Sequence, residues 1–209
     1  MLIPVETLLV FVPAALALNL TPGNDMLFCL GQGMKSGPRA GVAASLGIAA
    51  GVLIHTLAAG IGLAAVLRAH PAAFEAIRWA GVAYLVYLAA QAWRSSGPLV
   101  APAGGAPARA LVAWREAVVV SLLNPKVAVF VLAFLPQFVD PARGSTFLQF
   151  FLLGAILNTG GTLINIAVGL FAGRLSGWLA TRAHVARWLQ RATGGIFLLL
   201  AARIAFERR

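Results

Sequence analysis

The polar residues that could carry out chemistry are gathered in two short clusters, each built around a proline inside an apolar stretch. The first cluster is Thr21-Pro22-Gly23-Asn24-Asp25, and the second is Asn124-Pro125-Lys126. Proline lacks the backbone N–H that a helix needs, and glycine tolerates unusual dihedral angles, so both clusters predict a broken helix. A break exposes backbone amides that attract carboxylates, which makes the clusters candidates for binding a substrate or a proton. Asn24 or Asp25 is expected to cap the half-helix that follows the break, either as its sole role or together with binding of a substrate or a proton.

Lys126 is the most unusual of these residues, because it lies about 11 residues into its apolar stretch, or about 16 Å deep in a helix. Its side chain reaches only about 6 Å, so the ammonium group cannot extend to the membrane surface. The obvious anionic partner is Asp25, the only carboxylate clearly inside an apolar stretch. Two readings stay open: a fixed Asp25–Lys126 pair that braces two broken helices, or groups that face a cavity and exchange partners with a cargo molecule.

Two further polar residues, His55 and Asn158, lie inside apolar stretches and are separated by 103 residues. The same offset superposes Pro22 on Pro125 and Gly51 on Gly154. Paired interruptions of this kind indicate a transporter site at the interface of two repeats. Histidine can carry protons near neutral pH, although a lone histidine in a helix is more often satisfied by a local hydrogen bond. Thr162 and Asn165 can add hydrogen bonds on the helix of Asn158.

The elements that must position these residues are long apolar helices. The chain has 209 residues, of which 60% are hydrophobic and 11% charged, with a mean hydropathy of +0.88. This composition is typical of bilayer spans and not of a soluble domain. The predicted fold is an all-α integral membrane protein with six transmembrane helices, arranged as two inverted three-helix repeats with a broken first helix in each half. The predicted spans are 5–34, 40–67, 72–93, 115–137, 146–173 and 187–206, and the predicted units are a first repeat 1–94, a flexible linker 95–113 and a second repeat 114–209. The glycine pairs Gly47/Gly51 and Gly169/Gly173 predict close helix packing.

The basic residues lie between the apolar stretches, so the net charge of +10 does not indicate a partner nucleic acid. The first, third and fifth joints hold nine Lys and Arg residues, against six in the other joints and the tails. This asymmetry predicts cytoplasmic odd joints and both termini on the non-cytoplasmic side.

Several chemistries lack their residues in this sequence. There is no phosphate-binding loop, no hydrolase nucleophile motif and no carboxylate cluster for a metal ion, and Cys29 is the only cysteine. We therefore expect no catalytic residues, no metal site and no cofactor. The rival interpretations are a membrane-embedded enzyme, a membrane scaffold that does not transport, or an exporter of ions or metals.

Taken together, the motifs resemble the LysE/RhtB family of amino-acid exporters along nearly the whole chain. The resemblance is carried by Thr21-Pro22-Gly23 with Asp25, by Gly81-Val82-Ala83-Tyr84-Leu85, and by Asn124-Pro125-Lys126 continuing to Leu135-Pro136-Gln137-Phe138-Val139. The resemblance implies a six-helix inner-membrane exporter of amino acids or their derivatives, driven by the proton gradient. Its partners would be the amino-acid cargo, protons and membrane lipid, in an oligomeric state that is left open and could be a homodimer.

Two departures from the family pattern bear on the cargo. Asn24 replaces the second proline of a Pro-Gly-Pro motif, which alters the expected shape of the first break. Val52 and Asn158 stand where acidic groups would be unsurprising, so neutral cargo is expected in preference to basic amino acids. In the expected mechanism, one half rocks against the other around the site. The cargo carboxylate would meet Lys126 or half-helix amides, and its ammonium group would meet Asp25 and the carbonyls freed at the breaks.

Overall fold

A computed structural model describes residues 2–69, 71–94, 107–175 and 183–206. The regular structure within these ranges is entirely helical. The helices are α1 Val5–Leu20, α2 Asn24–Ser36, α3 Pro38–Ala69, α4 Pro71–Arg94, α5 Ala110–Leu122, α6 Pro125–Val129, α7 Thr146–Leu170 and α8 Ala183–Phe206. A π-helical turn at Phe130–Phe134 and a 3-10 turn at Leu135–Phe138 continue α6, and a second 3-10 turn covers Pro141–Arg143.

Both predicted helix breaks are confirmed. The axes of α1 and α2 differ by 49° across Pro22, and the axis of α5 differs by 52° from that of the segment that begins at Pro125. In each case the chain leaves the helix just before the proline, whose ring cannot donate the next backbone hydrogen bond. The bends bring the two breaks close enough for a hydrogen bond between Asn124 and Asp25.

The capping prediction for the first break is wrong. The residue that precedes α2 is Gly23, which has no side chain to cap it, and neither Asn24 nor Asp25 holds that position. At the second break, the side-chain oxygen of Asn124 accepts a hydrogen bond from the Lys126 amide at 3.0 Å. Only the second break therefore has the side-chain cap that is usual at a helix start.

Four of the six predicted spans meet the length and composition expected of a membrane crossing. Within the described ranges, α3 and α7 qualify as single helices, and the two bent segments qualify when each is counted as one span. Helices α4 and α8 coincide with the other two predicted spans, and each has 24 residues. Residues 95–106 of the predicted linker 95–113 lie outside the described residues. The last part of the predicted linker, from Ala110 onward, belongs to α5.

Helix α3 is the centre of the bundle and packs against α2, α4, α5 and α7. Small residues permit this packing: a Cβ atom on Gly41 would lie 2.7 Å from the Cα atom of Gly169, and one on Gly51 would lie 2.5 Å from the Cβ atom of Ser121. The prediction of close packing is thus confirmed for Gly169, Gly47 and Gly51. It is not confirmed for Gly173: among the described residues, and leaving aside its own helix backbone and chain neighbours, no atom lies within 4 Å of the place where its Cβ atom would be.

Four phenylalanines close the space between α1 and the second broken helix. Phe134 lies at their centre, with its ring centroid 4.3 Å from that of Phe130, 4.8 Å from that of Phe138 and 6.3 Å from that of Phe11. The wider winding of the π-helical turn lets Phe130 and Phe134 approach each other on one side. This aromatic cluster fixes α1 against the segment that carries Lys126.

Candidate functional site

The two helix breaks face each other, and each supplies a hydrogen-bonding group to the other. The side-chain amide of Asn124 donates to the Asp25 carboxylate at 2.7 Å. The ammonium group of Lys126 donates to the backbone carbonyl of Thr21, also at 2.7 Å. That carbonyl oxygen lies in the interruption between α1 and α2. The prolines thus create both the bends and an acceptor that holds Lys126.

Asp25 and Lys126 do not form a direct pair. Within the residues that the structure describes, no ion pair at 4.0 Å or less joins their charged groups, and each has a different first partner. The amide of Asn124 uses both of its polar atoms, the nitrogen toward Asp25 and the oxygen toward the Lys126 backbone. Both charges therefore keep hydrogen-bonding capacity that the protein does not use.

A cavity lies between the breaks and α7, and we call it the central cavity. The volume open to the centre of a water molecule is about 50 Å³. This volume can hold a few waters or the polar head of a small molecule. Its polar wall consists of Asn19, Thr21, Asp25, Lys126, Asn158 and Thr162, with Asn165 beside them. Its apolar wall consists of Leu18, Met26, Ile48, Val52, Val127 and Leu157.

Helix α7 supplies three polar side chains to the central cavity from successive turns. Asn158, Thr162 and Asn165 are spaced by four and three residues, so they share one face of the helix. The Asn158 amide donates to the Ala49 carbonyl at 3.1 Å, and the Thr162 hydroxyl donates to the Asn158 carbonyl at 2.7 Å. Asn165 differs from both: it is 7% exposed, and neither of its amide atoms has a hydrogen-bond partner in the described part of the chain. It can therefore bind a guest.

A second cavity, which we call the side cavity, lies on the other side of the same breaks and measures about 210 Å³. It contains Pro22, Asn24, Asn124 and Pro125, together with residues of α4 and α8. Thr21, Gly23 and Lys126 line both cavities. Nine of the ten predicted site residues thus line one cavity or both.

His55 is the exception, because it lines neither cavity. Its Nε2 atom lies 3.3 Å from the carbonyl oxygen of Ser121, at the contact between α3 and α5. This position agrees with the alternative of a histidine satisfied locally.

The role of Asn19 and the position of the apolar wall were not predicted from the sequence. The Asn19 amide donates to the Leu157 carbonyl at 3.0 Å and so joins α1 to α7. Its position three residues before Pro22 is the only signal that could have revealed it. The apolar wall gave no signal, since aliphatic residues in a membrane protein can equally face lipid.

Comparison with known proteins relates the whole chain to membrane transporters. The family described as LysE type translocator matches residues 16–208. An uncharacterized membrane protein of Vibrio cholerae serotype O1 is 30% identical over 190 residues, which cover 91% of this chain and 92% of that protein. A homoserine/homoserine lactone efflux protein of Salmonella typhimurium is 29% identical, with 91% of this chain and 92% of that protein covered. A leucine efflux protein of Enterobacter sp. (strain 638) is 29% identical, with 93% of both chains covered. No solved structure matches the chain.

The family description and the names of the two efflux relatives are those of transporters and not of enzymes. They agree with the resemblance found in the two proline clusters. The chain belongs to the LysE type translocator family.

Proposed function

We propose that this chain exports neutral amino acids or their derivatives across the inner membrane, and that the central cavity binds the cargo. The observation that carries the proposal is the placement of Asp25 and Lys126 on one cavity wall, each held by a group from the other break. The relatives named for the efflux of homoserine, homoserine lactone and leucine support a cargo of this class.

A zwitterionic cargo is complementary to the polar and apolar walls of the central cavity. Its carboxylate would bind Lys126, its ammonium group would bind Asp25, and the free amide of Asn165 would take a remaining polar group. The cavity would have to widen beyond its 50 Å³ to hold an aliphatic side chain, which would then lie against residues such as Ile48 and Leu157. Asp25 is the single carboxylate among the lining residues, so the second ammonium group of a basic amino acid would have no counter-charge.

Proton coupling is assigned to Asp25 in this proposal. It is the titratable group that faces the central cavity beside Lys126, whereas His55 lines neither cavity. A proton that binds Asp25 would compete with the cargo ammonium group for the same oxygen atoms. Entry of a proton from outside would therefore favour release of the cargo on that side.

The proposed architecture has six spans, with α4 and α8 crossing the membrane beside the four segments that meet the hydropathy criterion. At a rise of 1.5 Å per residue, a 24-residue helix reaches about 36 Å, which exceeds the roughly 30 Å of hydrocarbon. The two similar bends support a second half that is inverted relative to the first. Both termini would lie on the non-cytoplasmic side, and the segment 95–113 would link the two halves. Rocking of one half against the other would open the central cavity alternately to each side.

Transport by purified protein tests this proposal directly. Proteoliposomes would be loaded with tritiated leucine, homoserine or lysine, and release would be followed with and without an imposed pH gradient. We expect leucine or homoserine to leave faster than from protein-free liposomes, and faster still with the gradient, while lysine stays inside. Equal release of lysine would refute the preference for neutral cargo. Release of all three at the protein-free rate would refute export.

A further inference from the structure

The side cavity has the features of a binding site in its own right. It lies between the two breaks and the facing surfaces of α4 and α8, and it is about four times larger than the central cavity. Tyr84 and Tyr87 form an aromatic wall, with ring centroids 5.8 Å apart and planes inclined by 27°. The Tyr84 hydroxyl donates to the Pro125 carbonyl at 3.2 Å, which anchors this wall to the second break.

Lys126 separates the side cavity from the central cavity. A Cβ atom on Gly23 would lie 3.2 Å from the Lys126 nitrogen, so the ammonium group lies directly over the glycine at the start of α2. It is held there by the Thr21 carbonyl. Because these three residues line both cavities, a carboxylate bound to Lys126 on one side could pass to the other side without leaving the ammonium group.

Gln190 places a polar side chain on the wall of the side cavity. Its side chain is 5% exposed and lines the cavity, and it has no hydrogen-bond partner among the described residues. Its amide can therefore donate to and accept from a polar group of a molecule in the cavity. The start of α2 adds further donors, since Gly23 has no side chain to satisfy the first backbone amides of that helix.

We infer that the side cavity is a second cargo site, which binds the carboxylate of the transported molecule at Lys126 and the start of α2, and its amino or hydroxyl group at Gln190. The inference rests on the proposed export function. Of the described residues that line the cavity, only Lys126 carries a full charge. The site therefore selects molecules with a carboxylate and disfavours those with a net positive charge.

The position of the side cavity gives this second site a place in transport. Gln91 and Gln190 lie within about two turns of the end of α4 and the start of α8. These two ends adjoin, because the Trp93 indole donates to the Arg191 carbonyl at 3.1 Å. They lie on the side of the segment that joins α4 to α5, which the charge asymmetry predicts to be cytoplasmic. An exporter takes up its cargo on that side, so the side cavity is the loading site and the central cavity is the site behind it.

The stoichiometry of binding to the purified full-length chain tests the inference. The probe is tritiated leucine or homoserine, whichever the proteoliposomes export. Two matched variants each replace a buried amide that has no partner: Gln190→Leu in the side cavity and Asn165→Leu in the central cavity. We expect two molecules bound per wild-type chain, one per chain in either variant, and none in the double variant. Gln190→Met keeps the length of the side chain and removes both of its hydrogen-bonding atoms, so it too should bind one.

The outcomes separate this inference from the function on which it rests. One molecule per wild-type chain, unchanged by Gln190→Leu or by Gln190→Met, would overturn the second site while export stands. Absence of export of either amino acid would overturn the proposed function and the second site together. If Gln190→Leu does not elute as a folded protein in detergent, the Gln190→Met measurement decides the question alone.

Discussion

Asn124 on the second broken helix donates a hydrogen bond of 2.7 Å to Asp25 on the first, and its oxygen caps the short helix that carries Lys126. One side chain thus helps to position both charged residues that line the central cavity. Both of its polar atoms have partners, so the orientation of the amide is determined by its surroundings.

Asn124→Asp separates the two roles of this residue. An aspartate can still cap the Lys126 amide, but it cannot donate to Asp25, and it brings a second carboxylate to within hydrogen-bonding distance of the first. We expect a chain that inserts and folds, with efflux reduced at least 10-fold because Asp25 no longer keeps its position and charge. Proteoliposome efflux and elution in detergent measure the two effects.

Asn19→Asp is the matched control for that change. Asn19 also joins two helices through its amide nitrogen, but its partner is the Leu157 carbonyl and not a carboxylate. Asn19→Asp should therefore reduce efflux less than Asn124→Asp does. The reverse order of the two variants would contradict the role given to Asn124.

Close packing of α3 on α7 depends on Gly41. A larger side chain there meets the backbone of Gly169, which cannot move aside as a flexible side chain would. Gly41→Leu should therefore destabilise the protein by about 1–3 kcal/mol or more, measured as a lower midpoint of thermal unfolding in detergent. Gly62→Leu on the same helix is the control, since no atom lies within 4 Å of its Cβ position. Equal loss of stability in both variants would contradict the packing described here.

The sequence predicted the breaks but not the contacts between them. Pro22 and Pro125 act through a missing N–H group, which is a local property and can be read from the sequence. The identity of the residue that meets Asp25 depends on how two distant segments bend toward each other, and the electrostatic expectation favoured Lys126 over its neighbour Asn124. Gly169 and Gly173 illustrate the same limit, because only the arrangement of the neighbouring helices decides which glycine is at a contact.

The offset of 103 residues, which superposes Gly51 on Gly154, does not predict which helix each glycine contacts. Gly51 and Gly154 both lie at close contacts, but Gly51 faces Ser121 on α5 and Gly154 faces Thr56 on α3. At an offset of 103 residues, α5 corresponds to α1. In an exact repeat, Gly154 would therefore face α1 and not α3. The sequence identity at these positions therefore reflects a shared need for small residues more than a shared partner.

His55 is expected to be dispensable for proton coupling. Its ring contacts the Ser121 carbonyl and lines neither cavity, so His55→Gln should retain most of the efflux and its response to an imposed pH gradient. Asp25→Asn in the same assay should lose that response. A gradient response that disappears with His55→Gln would transfer the coupling role from Asp25 to the histidine.

The predicted orientation can be tested with reporter fusions. A fusion after Arg209 should report a non-cytoplasmic end, and a fusion within 95–110 should report a cytoplasmic one, because the odd joints hold more Lys and Arg. The opposite pair of results would reverse the orientation. It would also make the side cavity the site of release and not of loading.

The central claim is that Asp25 and Lys126 bind the cargo and are more than a brace between the broken helices. A charge in the middle of a transmembrane helix costs about 2.5–3.5 kcal/mol on insertion scales, and apolar packing could replace a purely structural pair. Asp25→Asn and Lys126→Met should each insert and lose efflux. The decisive measurement is efflux by the double variant Asp25→Asn with Lys126→Met. This variant removes both charges, so neither remains without its counter-charge. We predict a folded, membrane-inserted double variant that remains inactive, and recovery of transport in that variant would contradict the account.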